Sequence, residues 1–122
     1  AGAKELTYVD AGHGHWAIRR SDSRSEAPPT PDGFLIGIDA NSEYRNATLF
    51  VEPGDRIIIF SDGIPEQQNH ESEQYGVQRV YELVAESPSA EEDVNRLLQA
   101  VMKWGNTSNL DDDTTIVSLG LV

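Results

Sequence analysis

The segment 51–66, with the sequence VEPGDRIIIFSDGIPE, decides the fold of this chain. Its opening turn, EPGD, combines a proline that fixes φ with Gly54, which can adopt the positive φ of a tight corner. The run RIIIF that follows has no polar break after its arginine, which predicts a strand buried on both faces. The strand ends at Ser61-Asp62-Gly63. Two interpretations of Asp62 stay open: its carboxylate binds a metal ion that neutralises the charge, or it caps the next turn.

Two strands and a loop are predicted near the start of the chain. Residues 6–9 indicate a strand, the glycine-rich segment 10–14 a tight turn, and residues 15–19 a returning strand. We therefore expect a β-hairpin here. The polar segment 21–33 contains several prolines and has no apolar periodicity, which is typical of a surface loop.

A further strand is predicted at 45–51, directly before the deciding segment. Its alternating apolar residues favour one buried face, formed by Ala47, Leu49 and Val51. We expect a hairpin corner at Pro53-Gly54 to join this strand to the RIIIF strand.

Two helices are predicted after Asp62. Residues 64–74 are polar and indicate a loop or an irregular helix. A first amphipathic helix ends near Ser87-Pro88, and the sequence SAEE at 89–92 is a capping box for a second helix that ends at Gly105-Asn106. The apolar residues at helical spacing are Val77, Val80, Tyr81 and Val84 in the first helix, and Val94, Leu97, Leu98, Val101 and Met102 in the second.

The predicted order of elements is strands, two helices and a final strand at 114–122. This order favours an α+β fold in which the helices pack on one face of a sheet. The length of 122 residues indicates one domain.

Composition excludes several kinds of function. The formal net charge of −12 argues against a surface that binds nucleic acid or an anionic membrane. The chain has no cysteine, which excludes disulfides, thiolate metal sites and a cysteine nucleophile. No apolar run approaches the length of a membrane span, and we expect a cytoplasmic protein.

The triplet Asp111-Asp112-Asp113 is the second unusual acidic feature. Adjacent carboxylates repel one another unless water or cations screen them, so the triplet is either a solvated loop or part of a cation site. Asp62 ends one predicted strand and the triplet precedes another, so these carboxylates can meet at one sheet edge. Oxygen ligands alone suit Mg²⁺ or Mn²⁺. His13 and His15 could begin a zinc site, but no third ligand is near them in sequence. We expect His13 to hold its turn through a backbone hydrogen bond.

Several short motifs occur in an order that resembles a known family. They are YVDAGH at 8–13, LIG at 35–37, EPGDR at 52–56, FSDGI at 60–64 with Glu66, YG at 75–76, and DDDTTIV at 111–117. Together they resemble the metal-dependent protein phosphatase (PPM) family, in its bacterial SpoIIE-like branch. The match runs from about residue 6 to residue 121.

The resemblance implies an α-β-β-α sandwich of antiparallel sheets flanked by helices, with two Mn²⁺ or Mg²⁺ ions between the sheets. It implies that a water bridging the ions, and no side chain, attacks phosphoserine or phosphothreonine. It also implies that Asp62 and Asp111 are metal ligands. Asp113 stands where relatives have an apolar residue, which leaves the register open by one place, so Asp112 is the second candidate ligand.

An earlier family segment, which carries an aspartate that bridges both ions, has no counterpart in residues 1–122. We therefore interpret the chain as the C-terminal portion of one phosphatase domain. The resemblance implies a phosphorylated anti-sigma-factor antagonist as the substrate. The alternatives are a phosphatase-like module that only binds a partner and an acidic site at which a divalent ion only stabilises the fold. A sheet without its first strands would expose an edge that can pair with a second copy of the chain.

Overall fold

The computed structural model describes residues 3–29 and 35–122, and it contains six strands and two helices. In chain order these are β1 (Lys4–Tyr8), β2 (Trp16–Arg19), β3 (Ser25–Glu26), β4 (Ala47–Val51), β5 (Arg56–Phe60), α1 (Val77–Glu86), α2 (Ala90–Gly105) and β6 (Ile116–Gly120). All strand pairs are antiparallel. This confirms the predicted α+β class.

The strands form two separate sheets. Strands β1 and β4 make a two-stranded sheet, and the other four strands make a sheet in the order β3-β2-β5-β6. The two helices pack on one face of the larger sheet, and the smaller sheet packs on its other face. The chain thus supplies a helix layer and both sheet layers of the expected sandwich.

The helix layer encloses the main core. Ile58 and Phe60 of β5 project toward the helices, because alternate residues of a strand point to opposite faces. They are buried against apolar residues of the helices and of the loop after β5, namely Ile64, Tyr75, Val80, Val84, Leu97 and Val101. Ile59, on the opposite face, is 37% exposed. The prediction that this strand is buried on both faces is therefore wrong at Ile59.

The predicted hairpin between residues 6–9 and 15–19 is wrong. Strand β1 pairs with β4, whereas β2 pairs with β3 and β5. Strands β1 and β2 stack face to face. The ring centroids of Tyr8 and Trp16 are 4.7 Å apart in an edge-on arrangement. The carboxylate of Asp10 shapes the connection by accepting hydrogen bonds from the backbone amides of residues 12, 13 and 14. Stacking buries the apolar faces of both strands, which pairing side by side would leave uncovered.

The second predicted hairpin, at Pro53-Gly54, is wrong for a related reason. The turn forms, and Gly54 has a φ of 93°. However, β4 and β5 lie in different sheets, so the turn carries the chain from one sheet to the other. The buried carboxylate of Asp55 fixes this corner by accepting hydrogen bonds from the amides of Glu52 and Ser21.

The helical predictions are confirmed. Helix α1 ends at Glu86, and α2 begins after Ser89, whose hydroxyl accepts a hydrogen bond from the amide of Glu92. Asn106, in the left-handed conformation, ends α2. The final strand, predicted at 114–122, is shorter and spans Ile116–Gly120. The predicted loop 21–33 contains the short strand β3, and residues 30–33 lie outside the described ranges.

Neither helix in residues 3–29 and 35–122 is long and apolar enough to cross a membrane.

Candidate functional site

The pairing of β5 with β6 brings the two acidic segments to one edge of the larger sheet. Phe60, the last residue of β5, is opposite Ile116, the first residue of β6. The ladder continues beyond both strands, because the Ser61 amide donates to the Thr115 carbonyl oxygen at 3.0 Å. The Thr115 amide in turn donates to the Ser61 hydroxyl at 2.9 Å. Asp62 and the triplet at 111–113 therefore lie directly beyond paired positions, as the sequence indicated.

Gly63 lets the two segments touch. A Cβ atom at this position would lie 2.7 Å from the carbonyl oxygen of Asp113 and 2.9 Å from the hydroxyl oxygen of Thr114. Real Cβ contacts are not that short, so any other residue would push the segments apart. The glycine of the SDG sequence is thus needed for close approach.

Asp62 is exposed, and its carboxylate is held by His15, the residue directly before β2. The side chain of Asp62 is 61% exposed, and its Oδ1 lies 2.7 Å from Nε2 of His15. The His15 ring lies beside Phe60, with centroids 5.8 Å apart. An imidazole Nε2–H that donates to this oxygen fixes the carboxylate and leaves Oδ2 for another partner.

Asp111 is held by Gln67, a residue of the loop after β5. The Gln67 side-chain amide donates from Nε2 to Oδ2 of Asp111 at 2.9 Å. Its Oε1 accepts a hydrogen bond from the Asp111 backbone amide at 3.1 Å. Asp112 differs, because its Oδ1 accepts a local hydrogen bond from the amide of Asp113 at 2.8 Å.

A cleft of about 220 Å³ lies beside these carboxylates. It is lined by Gly63, Glu66, Gln67, Gln68, Asp111 and Asp112. Three of its lining residues are acidic, so the cleft favours cations over anions.

The chemistry of the donors fits a hard divalent cation. The groups at the edge are carboxylate and carbonyl oxygens, which Mg²⁺ and Mn²⁺ prefer. Among residues 3–29 and 35–122, no group of three or more histidine, cysteine, aspartate or glutamate side chains is placed to hold an ion. Mg²⁺ commonly binds through one or two carboxylates and keeps several waters, so the residues fit such an ion as part of a ligand set.

The histidine pair does not form a zinc site. The rings of His13 and His15 are 6.0 Å apart and nearly perpendicular. Nε2 of His13 lies 3.1 Å from the backbone carbonyl oxygen of His15, which agrees with the predicted role of His13 in holding the turn.

The turn after β5 is closed by the Asp62 backbone, whose carbonyl oxygen accepts from the amide of Glu66. Within the described residues, the Asp62 carboxylate contacts His15 and accepts from no amide of this turn, so it is not the cap of the turn.

Two residues of the site were not found from the sequence. The sequence offers His15 only as a partner of His13, and no local pattern marks Gln67. The available signal for Gln67 was weak: a polar residue in a polar loop. Its burial depends on a contact with a segment 44 positions away, which no local pattern reveals.

A family model described as "Stage II sporulation protein E (SpoIIE)" matches residues 1–121. The chain is 29% identical over 115 residues to the phosphoserine phosphatase RsbU of Bacillus subtilis, which covers 93% of this chain and 34% of RsbU.

Solved structures share the fold, among them the following two. The RsbU and RsbW domains of Rv1364c from Mycobacterium tuberculosis match with a TM-score of 0.73 and 19% identity, over 97% of this chain and 32% of that chain. The phosphatase domain of SpoIIE from Bacillus subtilis, presoaked with Mn, matches with a TM-score of 0.66 and 18% identity, over 98% of this chain and 56% of that chain. At these identities the likeness shows the fold alone.

The chain thus spans about a third of the length of RsbU, one of the curated relatives that it matches. The family model nevertheless covers nearly the whole chain, including both acidic segments at the sheet edge. The chain therefore belongs to the SpoIIE family.

Proposed function

We propose that this chain is the C-terminal portion of a metal-dependent protein serine/threonine phosphatase domain. The observation that carries the proposal is the meeting of Asp62 and the triplet 111–113 at one sheet edge, beside an acidic cleft. Membership of the SpoIIE family and the likeness to RsbU, a phosphoserine phosphatase, support the same activity. The 56% coverage of the SpoIIE phosphatase domain supports the view that the chain is a part of such a domain.

In this proposal Asp62 and Asp111 are ligands of Mn²⁺ or Mg²⁺, and Asp112 is the second candidate. Bound divalent ions supply positive charge for the phosphoryl oxygens and lower the pKa of a water nucleophile. The residues of this chain fix the orientation of the ligand carboxylates. His15 and Gln67 each hold one oxygen of a ligand carboxylate, so both carboxylates have a defined orientation before an ion binds.

The proposed substrate is a phosphorylated anti-sigma-factor antagonist, and the proposed place of action is the cytoplasm. Support for this substrate comes from the likeness to RsbU and to a structure that contains RsbU and RsbW domains. The acidic charge of the chain also favours a protein partner over nucleic acid.

The test is Mn²⁺-dependent dephosphorylation of a serine-phosphorylated antagonist by the full-length protein. We expect Asp62→Asn and Asp111→Asn each to lower kcat/KM by about 100-fold or more, because each removes charge that stabilises bound cations. Asp112→Asn should have a much smaller effect if Asp111 is the ligand. The matched control is Asp22→Asn, which changes an exposed aspartate paired with Arg24.

Wild-type rates in both Asp62→Asn and Asp111→Asn would overturn the ligand assignment. A wild-type protein with no hydrolysis under Mn²⁺ would overturn the enzymatic proposal.

A second candidate is a phosphatase-like module that binds a partner without hydrolysis. It is favoured by the finding that no group of three metal-binding side chains comes together within the described ranges. This module would bind the phosphorylated antagonist and leave its phosphate intact in the presence of Mn²⁺. Isothermal titration calorimetry measures the binding.

A further inference from the structure

Gln67 is a buried polar residue in the loop that follows β5. Only 3% of its surface is exposed, although it lies in a loop. Burying an amide side chain costs free energy unless its donors and acceptor find partners. The partners of Gln67 therefore indicate what the residue does.

All of the polar atoms of this amide are engaged. Nε2 donates to Oδ2 of Asp111 at 2.9 Å and to the carbonyl oxygen of Gln68 at 3.0 Å. Oε1 accepts from the Asp111 backbone amide. A rotated amide would place its oxygen against the Asp111 carboxylate and its NH₂ group against the Asp111 amide, so only one orientation satisfies both contacts.

The surroundings of Gln67 also hold it in place. The backbone carbonyl oxygen of Gln67 accepts a hydrogen bond from the backbone amide of Tyr75 at 2.9 Å. Gly105, the last residue of α2, leaves room for the side chain, because a Cβ atom at 105 would lie 2.7 Å from Nε2 of Gln67. The amide is thus packed between the end of α2 and the aspartate triplet.

We propose that Gln67 is a positioning residue that orients Asp111 as a ligand for a divalent cation. The two hydrogen bonds fix both the backbone and the carboxylate of Asp111, and they leave Oδ1 as the oxygen for the ion. Among the residues that the structure describes, the Asp112 carboxylate accepts a hydrogen bond only from the amide of Asp113, so it has no such clamp. The inference rests on the proposed function and deepens it, since it selects Asp111 over Asp112.

The test measures Mn²⁺ affinity of the full-length protein by electron paramagnetic resonance of free Mn²⁺. We expect Gln67→Met, which keeps the volume and loses the hydrogen bonds, to raise the Kd by about 10-fold or more, as is typical for partners of metal ligands. Gln99→Met, at an exposed position of α2, is the control and should leave the Kd unchanged.

A second variant acts on the same contact without altering the amide. Gly105→Ala adds a Cβ that displaces Nε2 of Gln67 from Asp111, while alanine favours the helix. We expect this variant to remain folded, because the helix propensity of alanine offsets part of the cost of displacing a buried amide, and to raise the Kd for Mn²⁺ several-fold. It keeps the inference testable if Gln67→Met does not fold.

A double-mutant cycle separates positioning from general stabilisation. Gln67→Met should add no further loss of Mn²⁺ affinity in the Asp111→Asn background, and should keep its full effect in the Asp112→Asn background. A full additional loss in Asp111→Asn would overturn the inference, as would wild-type affinity in both Gln67→Met and Gly105→Ala.

The outcomes also distinguish this inference from the proposed function. A wild-type protein that hydrolyses phosphoserine with Mn²⁺, while both variants bind Mn²⁺ normally, would overturn only the role of Gln67. A wild-type protein that neither binds Mn²⁺ nor hydrolyses the substrate would overturn both.

Discussion

The aspartates near the two ends of β5 lie in opposite environments. At its start, Arg56 forms a buried ion pair with Asp93 of α2, with Nε–Oδ2 and Nη2–Oδ1 distances of 2.7 and 2.9 Å. The Ser118 hydroxyl donates to the same carboxylate at 2.7 Å. Just beyond the other end, Asp62 is exposed and contacts an imidazole, and Asp111 contacts the neutral amide of Gln67.

The difference lies in what neutralises each carboxylate. The fold itself supplies an arginine to Asp93, so that charge is already compensated and its role is to hold α2 on the sheet. In the described part of the chain, no lysine or arginine forms an ion pair with Asp62 or with the triplet 111–113. In the proposed function, a divalent cation would compensate their negative charge. The arginine partner of Asp93 thus marks it as structural, whereas Asp62 and Asp111 contact only a histidine or a neutral amide and stay candidate ligands.

The largest expected effect is at the buried end. Asp93→Ala leaves Arg56 buried without its partner, and breaking such a pair costs about 3–5 kcal/mol of unfolding free energy. Urea unfolding followed by circular dichroism measures this loss. The double variant Arg56→Met/Asp93→Leu removes both charges and should lose much less. If the double variant were as unstable as Asp93→Ala, packing and not the unpaired charge would explain the loss.

A smaller effect is expected at Asp55, in the turn before β5. Burial acts to raise the pKa of this carboxyl, but hydrogen bonds from the amides of Glu52 and Ser21 and from Arg20 lower it below its ordinary value of 3.8. Because the pKa is lower in the folded state, Asp55 stabilises the fold fully above the ordinary value. That contribution is lost as the pH falls through the folded value. Asp55→Asn should cost about 1.5–3 kcal/mol at pH 7.

The pH dependence is the sharper part of the Asp55 prediction. The difference in unfolding free energy between wild type and Asp55→Asn should shrink below about pH 3.8, where the unfolded carboxyl begins to gain its proton. Urea unfolding at pH 7, 5 and 3 measures it. A difference that stays constant down to pH 3 would show that the ionised carboxylate does not stabilise the turn.

The helices could be predicted from the sequence because their signals are local. The spacing of Val80 and Val84 and the Ser89 cap lie within one or two helical turns of the residues they organise. Strand partners could not be predicted in the same way. The pairing of β1 with β4 joins segments some 40 residues apart, and the choice depends on which arrangement buries Tyr8, Trp16 and Leu49 together.

The same difference between local signals and tertiary contacts applies to the site. The positions of Asp62 and of the triplet next to strand ends follow from the sequence, because strand ends are predicted locally. The structure adds that β5 and β6 pair, which brings these ends to one edge. The clamp by Gln67 and the contact of His15 depend on side chains that only tertiary packing brings together. The ligand roles of Asp62, Asp111 and Asp112 stay predictions.

The smallest expected effect is at the exposed end of β5. Without metal, Asp62→Asn and Asp111→Asn should each change the unfolding free energy by no more than about 0.5 kcal/mol, because both side chains are exposed and asparagine keeps one oxygen that can accept the hydrogen bond from His15 or Gln67. The double variant should be at least as stable as wild type, because it removes two negative charges from one edge. Excess Mn²⁺ should then raise the melting temperature of the wild type and leave that of the double variant nearly unchanged. A loss at Asp62 without metal as large as that of Asp93→Ala would erase the contrast between the two ends of the strand, because both aspartates would then be structural.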